Sequence, residues 1–211
     1  MKAIAINGSP NKNGNTAFAI ETAAKELREA GIEVEVLQIG SENIRGCTSC
    51  GGCIRNQDKK CTIHNDRVNE YILKMEAADG ILLGSPVYFS GVNGTMKAFL
   101  DRTFFVASVN GGLFRHKVGA CVASVRRGGG VTTYEQLYNY INYSEMIIAS
   151  SNYWNVIHGN APGEAAQDAE GVQIMRVLGK NMAWILKLVE NGRGRVAEPE
   201  AEHKVFTNFI R

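Results

Sequence analysis

Along this chain, short apolar runs alternate with longer stretches in which apolar residues recur every three to four positions, the respective signatures of buried strands and one-faced helices. Residues 2–6 are the first apolar run, and residues 16–30, apolar on one face, predict the first helix with Gly31 as its C-cap. Residues 33–39 set Glu against Val, Val, Leu and Ile and predict a second strand. Residues 66–78 suit a helix, 80–84 a third strand built on Ile81, Leu82 and Leu83, 94–105 a helix around Met96, Phe99 and Leu100, and 117–125 a fourth strand. A tyrosine-bearing helix over 133–143, a fifth strand over 146–149 and a long helix over 171–190 complete the pattern. Between the second strand and the next helix lies an insertion, about residues 46–64, too polar and Gly-rich to be a core element. The alternation predicts an α/β fold: a doubly wound, five-stranded parallel sheet with helices on both faces. The tail from about residue 191 is polar until Val205, and Phe206, Phe209 and Ile210 are expected to pack on something, a second subunit being one choice.

The segment from Ala3 to Thr16 carries the first chemistry. An apolar strand runs into a small polar loop that opens a helix, an arrangement whose backbone N–H groups and helix dipole point at an anion. Gly8 and Gly14 permit the tight turn, Ser9, Asn15 and Thr16 add side-chain donors, and Asn11 and Ala17 fall within the same cradle. An ATP-type P-loop is excluded, since the spacing is one residue too long and Asn15 stands where the lysine is needed. The dinucleotide fingerprint is excluded too, because no Gly-x-Gly-x-x-Gly follows the strand. A terminal phosphate held without metal or lysine remains, and flavin mononucleotide (FMN) carries one. A plain strand-to-helix turn accounts for a few of these residues but not for the whole polar set.

A length of 211 residues with 45% hydrophobic content supports one domain over 1–211. The net charge of +2, with no basic run interleaved with aromatics, argues against nucleic acid as a partner. The apolar run before Gly8 is too short for a secretory core and no run is long enough for a membrane span, so no membrane contact and a cytoplasmic location are expected. Five cysteines are present, and four of them crowd into the insertion as a ligand cluster rather than a disulfide framework.

In a doubly wound sheet, ligands sit beyond the carboxyl ends of the strands. Three loops occupy those ends: residues 8–16, residues 85–91 and residues 124–132. With them in view, the chain resembles the flavodoxin-like FMN reductases and, among these, the iron–sulfur flavoproteins. The resemblance runs through Gly8-Ser9-Pro10 to Gly14-Asn15-Thr16, Cys47-x2-Cys50-x2-Cys53-x7-Cys61, Gly84-Ser85-Pro86-Val87-Tyr88, Met96 to Arg102, and the Gly-Gly loop after the fourth strand. It implies that the first loop binds the FMN phosphate, that the second and third wrap the isoalloxazine ring, and that NAD(P)H or another donor reduces the flavin. It also implies a homodimer or homotetramer, with small-molecule electron donor and acceptor and a redox-protein partner as a further expectation.

In that setting Pro86 is expected to fix a turn so that the N–H groups of Tyr88, Phe89 and Ser90, beside Gly91, reach the polar edge of the ring, with Val87 or Tyr88 against its apolar part. The alternative for Tyr88 and Phe89 is ordinary core packing. After the fourth strand, Ser124, Arg126, Arg127, Gly128, Gly129 and Gly130 offer close backbone approach and two permanent cations, for the N1–C2=O2 edge or for a nicotinamide donor's phosphates. The arginines also read as a solvated loop. No His–carboxylate pairing suggests acid–base catalysis, so no catalytic side chain is assigned; His64, His116, His158 and His203 are scattered, and only His158, after the fifth strand, is placed to reach the flavin or a subunit interface, with a plain surface loop as its default reading. Lys97 and Asp101 form an i, i+4 pair, and structural roles are expected for them and for Arg102.

Cys47, Cys50 and Cys53 at spacings of three, with Cys61 as a fourth, suit a loop curled around a [4Fe–4S] cubane. Free or redox-active thiols and a zinc site are the other readings. Cys121, inside the fourth strand, reads as a small buried apolar residue. Two rivals to an oxidoreductase stand beside it: a non-enzymatic electron carrier and a thiol- or metal-sensing module.

Overall fold

The computed structural model describes residues 1–202 and 204–210; His203 lies outside the described residues. Strand β1 (Lys2–Asn7) leads into α1 (Asn15–Glu29), and β2 (Glu33–Gln38) into the insertion, which holds only the short helix α2 (Gly52–Asn56). Next come α3 (Val68–Ala77), β3 (Gly80–Tyr88), β4 (Gly91–Val92), α4 (Gly94–Val109), β5 (Val118–Val125), α5 (Gly130–Tyr143), β6 (Ile147–Ile148), β7 (Val156–His158) and α6 (Ala169–Gly192). The parallel core runs in the order β2-β1-β3-β5-β6, while β4 pairs antiparallel with β3 and β7 parallel with β5.

Strand alternation divides the interior into two halves. Ile4 and Ile6 of β1, Ile81 and Leu83 of β3 and Cys121 of β5 face α3, α4 and α5. Their neighbours Ala3, Ala5, Leu82, Ala120 and Val122 face α1 and α6. The second face uses smaller residues, so α1 and α6 lie close; a Cβ at Gly179 would come within 2.4 Å of the Ala23 carbonyl oxygen. Asp168 caps α6 by accepting the Gly171 N–H at 2.9 Å.

Three elements differ from the sequence expectation. The third strand runs on through Ser85 and Pro86, which stay in register with Ala123 and Ser124 of β5, so Pro86 sits in a strand and forms no turn. The turn comes later, as a β3–β4 hairpin whose tip residues Phe89 and Ser90 have φ of +49° and +58°. The expected fifth strand shrinks to two residues, and β7 completes that edge opposite Ala123, Ser124 and Val125. Asn155 bridges the break: its backbone carbonyl accepts the Ala123 N–H and its side-chain amide donates to the Cys121 carbonyl. Helix α5 begins at Gly130, ahead of the 133–143 helix that the sequence pattern predicts. In the tail, Val205, Phe206, Phe209 and Ile210 are all more than 80% exposed, so none of them is buried against the described residues.

Candidate functional site

The loop after β1 is held by residues at every turn. Gly8 donates its N–H to the Gly84 carbonyl at 2.8 Å, and its own carbonyl accepts from the Asn93 side-chain amide at 2.6 Å. The Asn7 side chain accepts the Ser9 N–H and donates to Gln38, whose amide donates in turn to the Ser9 carbonyl. Ser9 Oγ accepts the Asn11 N–H at 3.1 Å, leaving its hydroxyl hydrogen free to donate. Gly40 lies so close to this loop that a Cβ there would meet the Ser9 carbonyl carbon at 2.1 Å.

Helix α1 then starts at Asn15 with no side-chain cap on its Gly14 N-terminus. The first-turn N–H groups of Asn15, Thr16 and Ala17 have no acceptor inside the helix and face the loop mouth with the positive end of the dipole. A phosphate fits this donor set. Two of the expected side-chain donors are engaged elsewhere. The Asn15 amide donates to the Ala161 carbonyl at 3.1 Å and its oxygen accepts the Ala165 N–H, so this side chain fastens the 160–165 turn to the rim and leaves only its backbone N–H for an anion. The Thr16 and Ser124 hydroxyls, both buried, share a 2.5 Å hydrogen bond.

The hairpin and the loop after β5 form one unit. Gly129, at φ +88°, packs on the hairpin tip, and a Cβ there would lie 2.7 Å from Ser90 Cα. Thr132 donates its hydroxyl to the Ser90 carbonyl, and Gln136 accepts the Val92 N–H. Tyr88 is half exposed and Phe89 fully so, which removes core packing as their role; Arg126, Arg127 and Gly128 are exposed at the same end of the sheet. Helix α5, like α1, begins without a side-chain cap, at Gly129. A neighbouring cavity of about 280 Å³ is lined by Arg127, Gly129, Tyr153, Trp154, His158 and Asp168 among others. Burial opposes ionisation of Asp168, yet hydrogen bonds from the Gly171 and His158 N–H groups outweigh it and hold the carboxyl below its usual range. His158 thus lies at this rim, with Nδ1 3.3 Å from Asp168. Asn93, Gln38, Gly40 and Gln136 were not marked by the sequence pattern; each acts through bonds or contacts to residues distant in the chain.

The cysteine insertion does not sit beside these loops. Asn110, just past α4, donates to the Cys53 carbonyl, and Gln57 donates to the Val109 carbonyl, so the insertion lies along the α3–α4 flank. Cys47, Cys50, Cys53 and Cys61 line one small depression together with Thr62, Ile63, Arg102, Phe105 and Val106. Among the described residues, no group of three or more His, Cys, Asp or Glu side chains is close enough to hold a single metal ion. The four thiols share one depression, the donor set an iron–sulfur cluster uses, but their side chains are not gathered around a common centre, so the expected [4Fe–4S] ligation is not shown by their placement. The Thr62 hydroxyl beside Cys50 pulls that thiol's pKa down, whereas burial pushes Cys53 up. Burial also pushes up Cys121, which is enclosed in the core as expected.

A parallel sheet ordered 2-1-3-5-6, with an open phosphate cradle after its first strand and glycine-mediated loops after its third and fifth, defines a flavodoxin-like protein. The family model for NADPH-dependent FMN reductases matches residues 1–161. An iron–sulfur flavoprotein of Methanocaldococcus jannaschii is 38% identical over 197 residues, spanning 90% of this chain and 100% of its own length. An iron–sulfur flavoprotein of Methanosarcina thermophila is 32% identical over 197 residues, spanning 92% and 100%. Among solved structures, a flavodoxin, WrbA-like protein of Agrobacterium tumefaciens superposes with a TM-score of 0.59 at 14% identity, over 89% of this chain and 98% of that one. RosB, solved with bound 8-demethyl-8-formylriboflavin-5'-phosphate, superposes at 0.66 with 14% identity, over 100% and 94%. The chain belongs to the NADPH-dependent FMN reductase family and, within it, to the iron–sulfur flavoproteins. Among the described residues, no helix is long and apolar enough to cross a membrane.

Proposed function

We propose that this protein is an FMN-dependent oxidoreductase that takes electrons from NAD(P)H or a ferredoxin-like donor and delivers them to a small acceptor such as free flavin or a quinone. The uncapped first turn of α1 carries the reading: Asn15, Thr16 and Ala17 present backbone donors to one phosphate, with the Ser9 hydroxyl beside them. Bound there, FMN would supply two-electron redox chemistry, a hydride from a nicotinamide donor and a proton from solvent balancing its reduction. The chain's own task is placement. The Ser90–Gly129 contact fixes the gap between the ring-facing loops, and the amino end of α5 aims positive potential where negative charge develops on reduction.

Cys47, Cys50, Cys53 and Cys61 would hold a [4Fe–4S] cluster, a one-electron relay suited to a protein donor. The names of the two archaeal relatives and the shared pocket of the four thiols support this. A homodimer or homotetramer in the cytoplasm is the assembly we favour, with the exposed apolar tail available for the contact.

The test is anaerobic purification with flavin, iron and sulfide quantitation, followed by rapid mixing with NADH, NADPH or a reduced ferredoxin. Bleaching of bound FMN within the time of turnover by one of these supports the reading. FMN that stays oxidised with every donor argues for a different function.

A further inference from the structure

Arg102 is the most deeply buried cation of the molecule's described residues, with no exposed side-chain area and its partner Asp66 only 5% exposed. A guanidinium carries five N–H bonds, and each has an acceptor here. Nε donates to Cys61 Sγ at 3.3 Å. One terminal nitrogen donates to Asp66 and to the Arg45 carbonyl, the latter at 3.2 Å. The other donates to Asp66 and to the Ile63 carbonyl, both at 3.1 Å. Pairing with Asp66 accounts for two of the five, and the remaining three grip the insertion on both sides of its cysteines, at Arg45, Cys61 and Ile63. A residue needed only to neutralise Asp66 would not require the third nitrogen to face sulfur. Arg102 also lines the depression that the four cysteines share.

We propose that Arg102 is a positioning residue for Cys61 and that its guanidinium sets the reduction potential of the cluster the cysteines hold, an assignment that rests on the cluster reading above. Reduction adds one electron with no bond made or broken and makes the thiolate-bound cluster one unit more negative. An N–H donor and a desolvated positive charge at a ligand sulfur stabilise that extra charge, so they raise the potential. Asp66, on the far side of the guanidinium, offsets part of the positive charge. Two substitutions therefore act with opposite sign. Arg102→Gln removes the cation and moves the cluster potential to more negative values, with Arg102→Lys between it and the parent. Asp66→Asn leaves Arg102 in place, uncovers its charge and moves the potential to more positive values. A purely structural ion pair predicts no such split, since breaking it from either side is the same loss.

The experiment is a potentiometric titration of anaerobically purified holoprotein, read by cluster paramagnetic resonance and by FMN absorbance in the same samples. The expected result is opposite shifts in the cluster for Arg102→Gln and Asp66→Asn, with the FMN midpoint unmoved. Should Arg102→Gln fail to load iron, Asp66→Asn decides alone: a positive shift supports the assignment, and a null or negative shift overturns it. Full iron content with unshifted potentials, or shifts of the same sign, overturns the role of Arg102 only. Wild-type protein that holds FMN but no iron after chemical reconstitution overturns the cluster reading and this assignment with it.

Discussion

The hydroxyls of Thr16 and Ser124, separated by 108 positions in sequence, meet at 2.5 Å inside the protein and tie the first turn of α1 to the carboxyl end of β5. The phosphate cradle and the third loop are thereby one rigid piece. Thr16→Val leaves the Ser124 hydroxyl buried without its partner, which costs about 1–3 kcal/mol. We expect apoprotein stability to fall by that amount in denaturant titration, and FMN affinity to fall about tenfold, since the cradle's first turn loses its anchor. Equal stability and equal affinity would show that the contact carries neither.

Under the proposed function, Gly129 sets the spacing of the two loops that would face the flavin ring. Its φ of +88° and its 2.7 Å clearance to Ser90 mean that any side chain must strain the turn and push the hairpin away. Gly129→Val should slow flavin reduction at saturating FMN by about tenfold or more while changing FMN affinity far less, because the phosphate is held elsewhere. Each tenfold loss corresponds to about 1.4 kcal/mol of barrier. Single-turnover reduction by the competent donor reads both effects.

Phe89 holds a left-handed conformation at the hairpin tip with its ring wholly in solvent. An aromatic residue there costs stability that asparagine avoids. Phe89→Asn is expected to leave thermal stability equal or raise it by about 0.5–1 kcal/mol, and to raise KM for an aromatic acceptor. A destabilised variant would mean that the ring packs in a way this structure does not show.

The cap of α6 has a defined pH dependence. The Asp168 carboxyl titrates below its ordinary 3.8 in the folded protein, so its stabilisation is complete above that value and is lost as pH falls through the lower folded value. Asp168→Ala should cost about 1 kcal/mol at neutral pH and nothing once the parent's carboxyl is protonated. Stability curves of parent and variant that stay parallel into acid would remove this role.

The layered fold was legible because β1, β3 and β5 are buried on both faces and their apolar runs stand out from the amphipathic helices between them. Loop positions followed, since parallel strands place all their carboxyl ends together. What escaped was set by distance in the chain. Pro86 reads locally as a turn, yet its neighbour β5 supplies a partner as far as Ser124. The β7 edge is three residues in an aromatic, polar stretch, visible only once Asn155 is seen bonding to Cys121. Arg102 and Asp66 stand 36 positions apart, so a helix-surface arginine in sequence becomes the hub of the insertion in space. The cysteines were legible as a set from their spacing, but their place along α4 was not.

A phosphate-anchored FMN at the strand ends and a cysteine-held cluster along α4 are the two cofactors proposed for this chain, and cofactor stoichiometry after anaerobic purification tests them most directly. Parent protein should carry close to one FMN, about four irons and about four acid-labile sulfides per chain, and Cys50→Ser should lose the iron while keeping the flavin. Folded protein that takes up no FMN at micromolar concentration would contradict the phosphate site, and stoichiometric FMN without iron after reconstitution would reduce the protein to a simple flavin reductase with free thiols.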